Sequence, residues 1–297
     1  MRYCLTLVLV ALFALGGAHG QQNADPRVPE PVRKKIIYRS GEEQKGRCMV
    51  VIAHHHGDSL FSSDEDIPYW IAHQNEILDI LLEFAKHHDS GKVRFFFEGE
   101  KGPYAKWPAN TRAIAPRNHQ AFQEWKVADA EKKKAIAAEF TKELGKATLD
   151  KGPEIWSRYH PSLGLVSHNK EKKLDAVIFG SEPPKKVPIM PDFELLGKER
   201  HDVFRRRSEK IVMANIHERN RYASLVMKET VPVGGVGVLL MGAAHNSSVY
   251  ERYSKLLHYK VSGEFGLEAH LAKIGDVTVV VIEPTTLKNL MKKRGID

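Results

Sequence analysis

Cysteine is nearly absent from this 297-residue chain, which holds only Cys4 and Cys48. That scarcity excludes a disulfide framework, a zinc ribbon built on paired Cys-x-x-Cys motifs and a covalent Cys-x-x-Cys-His haem attachment. Beyond the first 20 residues, no apolar run approaches the roughly 20 residues that a spanning helix needs, so no membrane span is expected in the mature protein. Internal repeats are also missing. With 42% hydrophobic and 28% charged residues, the composition excludes a disordered or fibrous chain and provides for a sizeable core. The formal charge is +8, but no zinc finger, helix-turn-helix pattern or platform of stacking aromatics accompanies it, so nucleic acid is not an expected partner. Runs such as Lys132-Lys133-Lys134 and Arg205-Arg206-Arg207 read as solvated helix faces. The surplus is compatible with an unknown substrate or partner that is anionic.

The amino end has the layout of an export signal. Met1 and Arg2 start it, an apolar run fills Cys4 to Leu15, and Ala18-His19-Gly20 offers small residues for cleavage before Gln21. Residues 1–20 therefore predict a signal peptide and a secreted or periplasmic mature chain. Cys4 leaves with the leader, and Cys48, inside an apolar run, reads as a buried structural thiol. Residues 21–35 are polar with Pro26, Pro29 and Pro31, which predicts an extended tether. A single domain is expected over 36–297.

Within it, short apolar runs at Cys48–Ala53, Val93–Phe97, Leu174–Phe179, Val236–Met241 and Val277–Ile282 predict strands covered on both faces. Helical patterns at about Pro68–His87, Asn118–Lys146, Asp202–Lys228, Asn246–Leu257 and Thr285–Lys293 alternate with them. The alternation predicts an α/β fold: a mainly parallel sheet flanked by helices, with right-handed crossovers. The stretch at about 100–173, rich in Lys and Glu and carrying five prolines, reads as a helical insertion or cap.

The chemistry stands at the ends of the runs. His54-His55-His56-Gly57-Asp58 closes the first, Glu98-Gly99-Glu100 the second, Gly180-Ser181-Glu182 the third and Gly242-Ala243-Ala244-His245-Asn246 the fourth. Ligands of open α/β sheets bind outside the carboxyl ends of the strands, so these groups are expected in one crevice. If the extended geometry continues, His54 and His56 face one way, a spacing that lets two imidazoles meet one metal ion. Adding Glu98 and His245 makes a set suited to zinc, manganese or iron with an open position for water. His245 can also act as a general base without a metal, or, with Asn246 and Ser247, simply start the next helix. On that late helical segment Val212, Ile216, Ala223 and Val226 trace an apolar stripe with Arg219 in its middle. A guanidinium there must reach water or meet an acid or anion, and Glu98 and Glu182 are the expected partners. Glu218 and Arg221 fall off the stripe and should be solvated. His73 reads either as a crevice residue or as an interfacial polar contact.

The pieces Ala53-x-x-His56-Gly57-Asp58, Glu98-Gly99, Glu218-Arg219-Asn220-Arg221-Tyr222 and Gly242-x-x-His245 together resemble the superfamily of erythromycin-esterase-like hydrolases, ChaN-like haem-binding lipoproteins and the TraB/GumN/Tiki group. The resemblance spans about residues 47–258. It implies functional roles for His56, Glu98, Arg219 and His245. Ala53 stands where the group usually has glycine, and His54 where its hydrolase and haem-binding branches often have glutamate. The superfamily covers esterase-type hydrolysis, metal-dependent proteolysis and haem binding, so the resemblance bears more on the site than on the reaction.

Two functions follow as expectations. One is a secreted or periplasmic hydrolase in which His56 and His245, with or without a metal held also by His54 and Glu98, activate water while Arg219 holds an anionic group or developing charge. The other is a non-catalytic haem- or iron-binding protein with ligands from Tyr222, Tyr250 and the histidines. An amidohydrolase barrel is disfavoured, since about five strands are recognisable where eight are required.

Overall fold

The computed structural model describes residues 25–41, 46–54, 67–98, 101–107, 124, 127–144, 165, 177–183, 201–252 and 263–293. The expected leader, residues 55–58 with His56, and much of the expected 100–173 insertion lie outside the described residues.

Seven strands are described: β1 (Ile36–Ser40), β2 (Arg47–His54), β3 (Val93–Phe97), β4 (Lys101–Pro103), β5 (Ile178–Ser181), β6 (Val236–Gly242) and β7 (Val277–Ile282). They form one sheet in the order β1-β7-β2-β6-β3-β5-β4. The inner pairs β7 with β2, β2 with β6, β6 with β3 and β3 with β5 are parallel. Both edges, β1 on β7 and β4 on β5, are antiparallel. The described helices are α1 (Glu30–Arg33), α2 (Ile67–His87), α3 (Ala130–Leu144), α4 (His201–Thr230), α5 (Ser247–Arg252), α6 (Leu267–Ala272) and α7 (Thr285–Lys293). This is the expected α/β class, with a mostly parallel sheet between helices.

The apolar runs became inner strands because both of their faces are covered. Side chains alternate across a pleated sheet. Cys48, Val50 and Ile52 of β2 join Phe95, Phe97, Val238 and Leu240 on one face, against Ile77, Leu81 and Phe84 of α2. Met49, Val51, Phe96, Leu239 and Met241 join the other, against Ala223 and Met227 of α4, Leu271 of α6 and Leu287 of α7. Each fully buried large side chain contributes about 2–3 kcal/mol of transfer free energy. At Gly237 a Cβ would lie 2.7 Å from Val231 Cγ2 and 2.9 Å from Met227 Cε, so the absent side chain lets the end of α4 approach β6. Cys48 is buried and unpaired, and burial pushes its thiol pKa up to about 12.

The amino-terminal segment differs from expectation. From Asp25 onward, the supposed tether packs on the fold: Asp25, Val28 and Val32 are buried. Arg27 donates to Asp25 Oδ1 at 2.9 Å and to Gly46 O at 2.6 Å, and its carbonyl is 2.7 Å from His88 Nε2 at the end of α2. The prolines punctuate the short turn and α1 rather than keeping the chain extended. Of the apolar run at Leu174–Phe179, residues 174–176 lie outside the described residues, and β5 is described over Ile178–Ser181.

Candidate functional site

Because β2, β3, β5 and β6 run parallel, their carboxyl ends share one edge, and the polar residues that follow them gather there. Phe97 of β3 lies beside Leu240 of β6 and Gly180 of β5. Glu98 continues from Phe97 with its main-chain N–H donating to Leu240 O at 3.3 Å. By the pleat, Glu98 falls on the face of Phe96, the face that α4 covers. The helix there supplies Arg219.

Glu98 and Glu182 grip that guanidinium together. Arg219 Nε donates to both Glu182 carboxylate oxygens at 3.1 Å, and Nη2 donates to Glu98 Oε1 and to Glu182 Oε1. Glu98 Oε2 accepts from Gly242 N–H at 2.8 Å, which ties the carboxylate to the end of β6. Burial works against the Arg219 charge, but the Glu98 carboxylate and then Glu182 overcome it and hold the guanidinium above its usual pKa. Of the two fates open to Arg219, acid pairing is the one observed. Arg221, exposed, instead pairs with Glu218 one helical turn away at 2.7 Å, as its position off the stripe implied.

His245 ends a 3₁₀ turn, Ala243–His245, directly after β6. Its ring is buried, with Nε2 3.7 Å from Glu98 Oε1. Its Nδ1 lies 2.6 Å from Asn220 Oδ1, and Asn220 Nδ2 donates to the carbonyl of His245 at 3.2 Å. The following helix is capped from outside: the buried Glu268 of α6 accepts from Ser247 N–H and Ser248 N–H, each at 3.0 Å. Asn246 does not cap it, since neither end of its buried amide is hydrogen-bonded.

His54 faces the other way. It continues the Cys48, Val50 and Ile52 side of β2 toward α2, where Gln74 Nε2 is 3.5 Å from its Nε2 and His73 stacks on its ring at 5.4 Å between centroids. His73 is itself buried against Tyr69 and bonded through Nδ1 to Thr286 Oγ1 at 2.8 Å, the interfacial arrangement. Among the described residues no three His, Cys, Asp or Glu side chains converge to hold a metal ion. His54, Glu98 and His245 therefore do not make a metal set by themselves, because the pleat sends His54 and Glu98 to opposite faces. His56 lies outside the described residues.

The edge thus brings together Glu98, Glu182, Arg219 and His245, and adds two residues that the sequence reading did not single out. Glu283 directly follows β7 and is buried. Asn220 is fully buried, on a line with Ile216, Ala223 and Met227 that is the true inward stripe of α4. The signal for Asn220 was its helical spacing from Ile216 and Ala223. No helix among the described residues is long and apolar enough to cross a membrane. No family model, curated protein or solved structure matches the chain.

Proposed function

We propose that the protein is a hydrolase of ester, amide or peptide bonds, exported to the periplasm or the exterior, in which His245 is the general base that activates water. One observation carries this reading: His245 Nε2 lies 3.7 Å from Glu98 Oε1, a carboxylate immobilised by Gly242 N–H and Arg219. As water oxygen bonds to the acyl carbon, Nε2 takes its proton, and Glu98 stabilises the resulting imidazolium. That proton then passes to the leaving oxygen or nitrogen as the acyl bond breaks, giving a carboxylic acid and an alcohol or amine. Arg219 spends Nε and Nη2 on carboxylates and keeps Nη1 for negative charge developing in the transition state.

A panel of p-nitrophenyl esters, anilides and peptides, offered with and without zinc, manganese or ferrous iron, tests this. At least one class should turn over, and His245→Gln should lower the rate by about 10²- to 10⁴-fold. No turnover with any metal, together with a stable Soret band on adding haem, would replace this function with non-catalytic haem binding. Mass spectrometry of exported protein should find Gln21 at the amino end; an intact Met1 would refute the leader.

A further inference from the structure

We propose that Asn220 is the positioning residue for His245, fixing its ring as the Nδ1–H tautomer so that Nε2 presents a lone pair. The role rests on the reading of His245 as the base, but the geometry beneath it does not. A main-chain carbonyl can only accept, so the contact of Asn220 with His245 O identifies the amide nitrogen and places the amide oxygen against Nδ1. An amide oxygen also only accepts; the 2.6 Å contact therefore requires a hydrogen on Nδ1. One side chain thus holds both the ring and the backbone of the same histidine, closing a small cycle that fixes the ring's rotation. The opposite amide orientation would set two oxygens face to face at the carbonyl and is excluded by repulsion.

The position on α4 explains why this residue can do it. Arg219 and Asn220 are adjacent, so their side chains leave the helix about 100° apart. Arg219 reaches Glu98 and Glu182, while Asn220 points inward along Ile216 and Ala223 to the turn after β6. The helix therefore sets the carboxylate and the imidazole from consecutive residues, and their separation follows from helix geometry. A neutral amide performs this without a further buried charge beside the two acids, which would carry a desolvation cost.

Long-range proton–nitrogen NMR on the full chain with ¹⁵N-histidine tests the tautomer without any substrate. The His245 signals are identified by their loss in His245→Gln. At a pH high enough to keep the ring neutral, wild type should show a protonated Nδ1 and an unprotonated Nε2, and Asn220→Asp, which keeps an acceptor, should do the same. Asn220→Leu and the smaller Asn220→Ser should shift the ring toward the Nε2–H form that histidine favours in water. An Nε2–H ring in wild type, readable even if every variant fails to fold, would overturn the proposal, as would an unchanged Nδ1–H ring in folded Asn220→Leu. On a substrate found with the panel above, Asn220→Leu should lower kcat by about 10²-fold or more with KM little changed. Full activity of His245→Gln beside an Nδ1–H ring in wild type would instead refute the general-base function and leave the tautomer assignment standing.

Discussion

Replacing Glu76 by glutamine should destabilise the fold strongly at neutral pH and little in acid. Glu76 projects from the middle of α2 and caps the start of α7. Its Oε1 accepts from Thr285 N–H and its Oε2 from Thr286 N–H, each at 2.7 Å, and Lys35 Nζ donates to Oε1. One carboxylate therefore joins α2, α7 and the segment leading into β1. Burial alone would raise its pKa; the Lys35 ammonium and the Thr285 and Thr286 donors prevail and bring it down to about 2. With an unfolded value of 4.5, the folded state favours the ionised form, so the stabilisation is full above about pH 4.5 and is lost as pH falls through about 2. At 1.36 kcal/mol per unit, that difference corresponds to about 3 kcal/mol at pH 7 and to less than half of that at pH 3. Urea unfolding of wild type and Glu76→Gln, followed by circular dichroism at pH 7 and pH 3, measures both gaps. A gap below about 1 kcal/mol at pH 7, or one of the same size at the two pH values, would refute a charge-dependent cap.

Arg219→Lys should lower the melting temperature by several degrees and remove activity, because an ammonium cannot reproduce the fork that spans Glu98 and Glu182, whereas Arg221→Lys should be within about 0.5 kcal/mol of wild type in stability. Equal behaviour in thermal melts and turnover would refute the pairing as an organiser of the site. Cys48, with its thiol pushed up to about 12, should resist iodoacetamide at pH 8 in the native protein and react once urea unfolds it; labelling of folded protein at the rate of a free thiol would contradict its burial. His270 is held down to about 4 by burial and then by neighbouring His217, Lys273 and Arg221, so its folded form favours the neutral ring, stability rises with pH between about 4 and 6.5, and its NMR titration midpoint should lie near 4 rather than near 6.5.

How much could be read beforehand depends on whether a feature is local. Val93–Phe97 and Val277–Ile282 are legible residue for residue, since a strand buried on both faces writes itself as a nearly continuous apolar run. The edges β1 and β4 are not, because Ile36–Ser40 is only half-buried and Lys101–Pro103 has three residues, one of them proline. The polarity of Asp25–Arg33 misleads because it is an average: Val28 and Val32, four residues apart, are buried while Glu30 and Pro31 stay exposed, and Arg27 finds acceptors far along the chain. At the site, the sequence told more about charges than about neutral groups. Arg219 in an apolar stripe demanded an acid, and Glu98 and Glu182 answered from 121 and 37 residues away. Asn220 made no such demand, since an amide on a helix reads as a surface residue. The apolar letters centre the stripe on Arg219, one residue out of phase with the buried line through Asn220. A charge in the wrong place advertises its partner by the cost of leaving it alone; a neutral amide becomes visible only when the turn after β6 brings His245 to it.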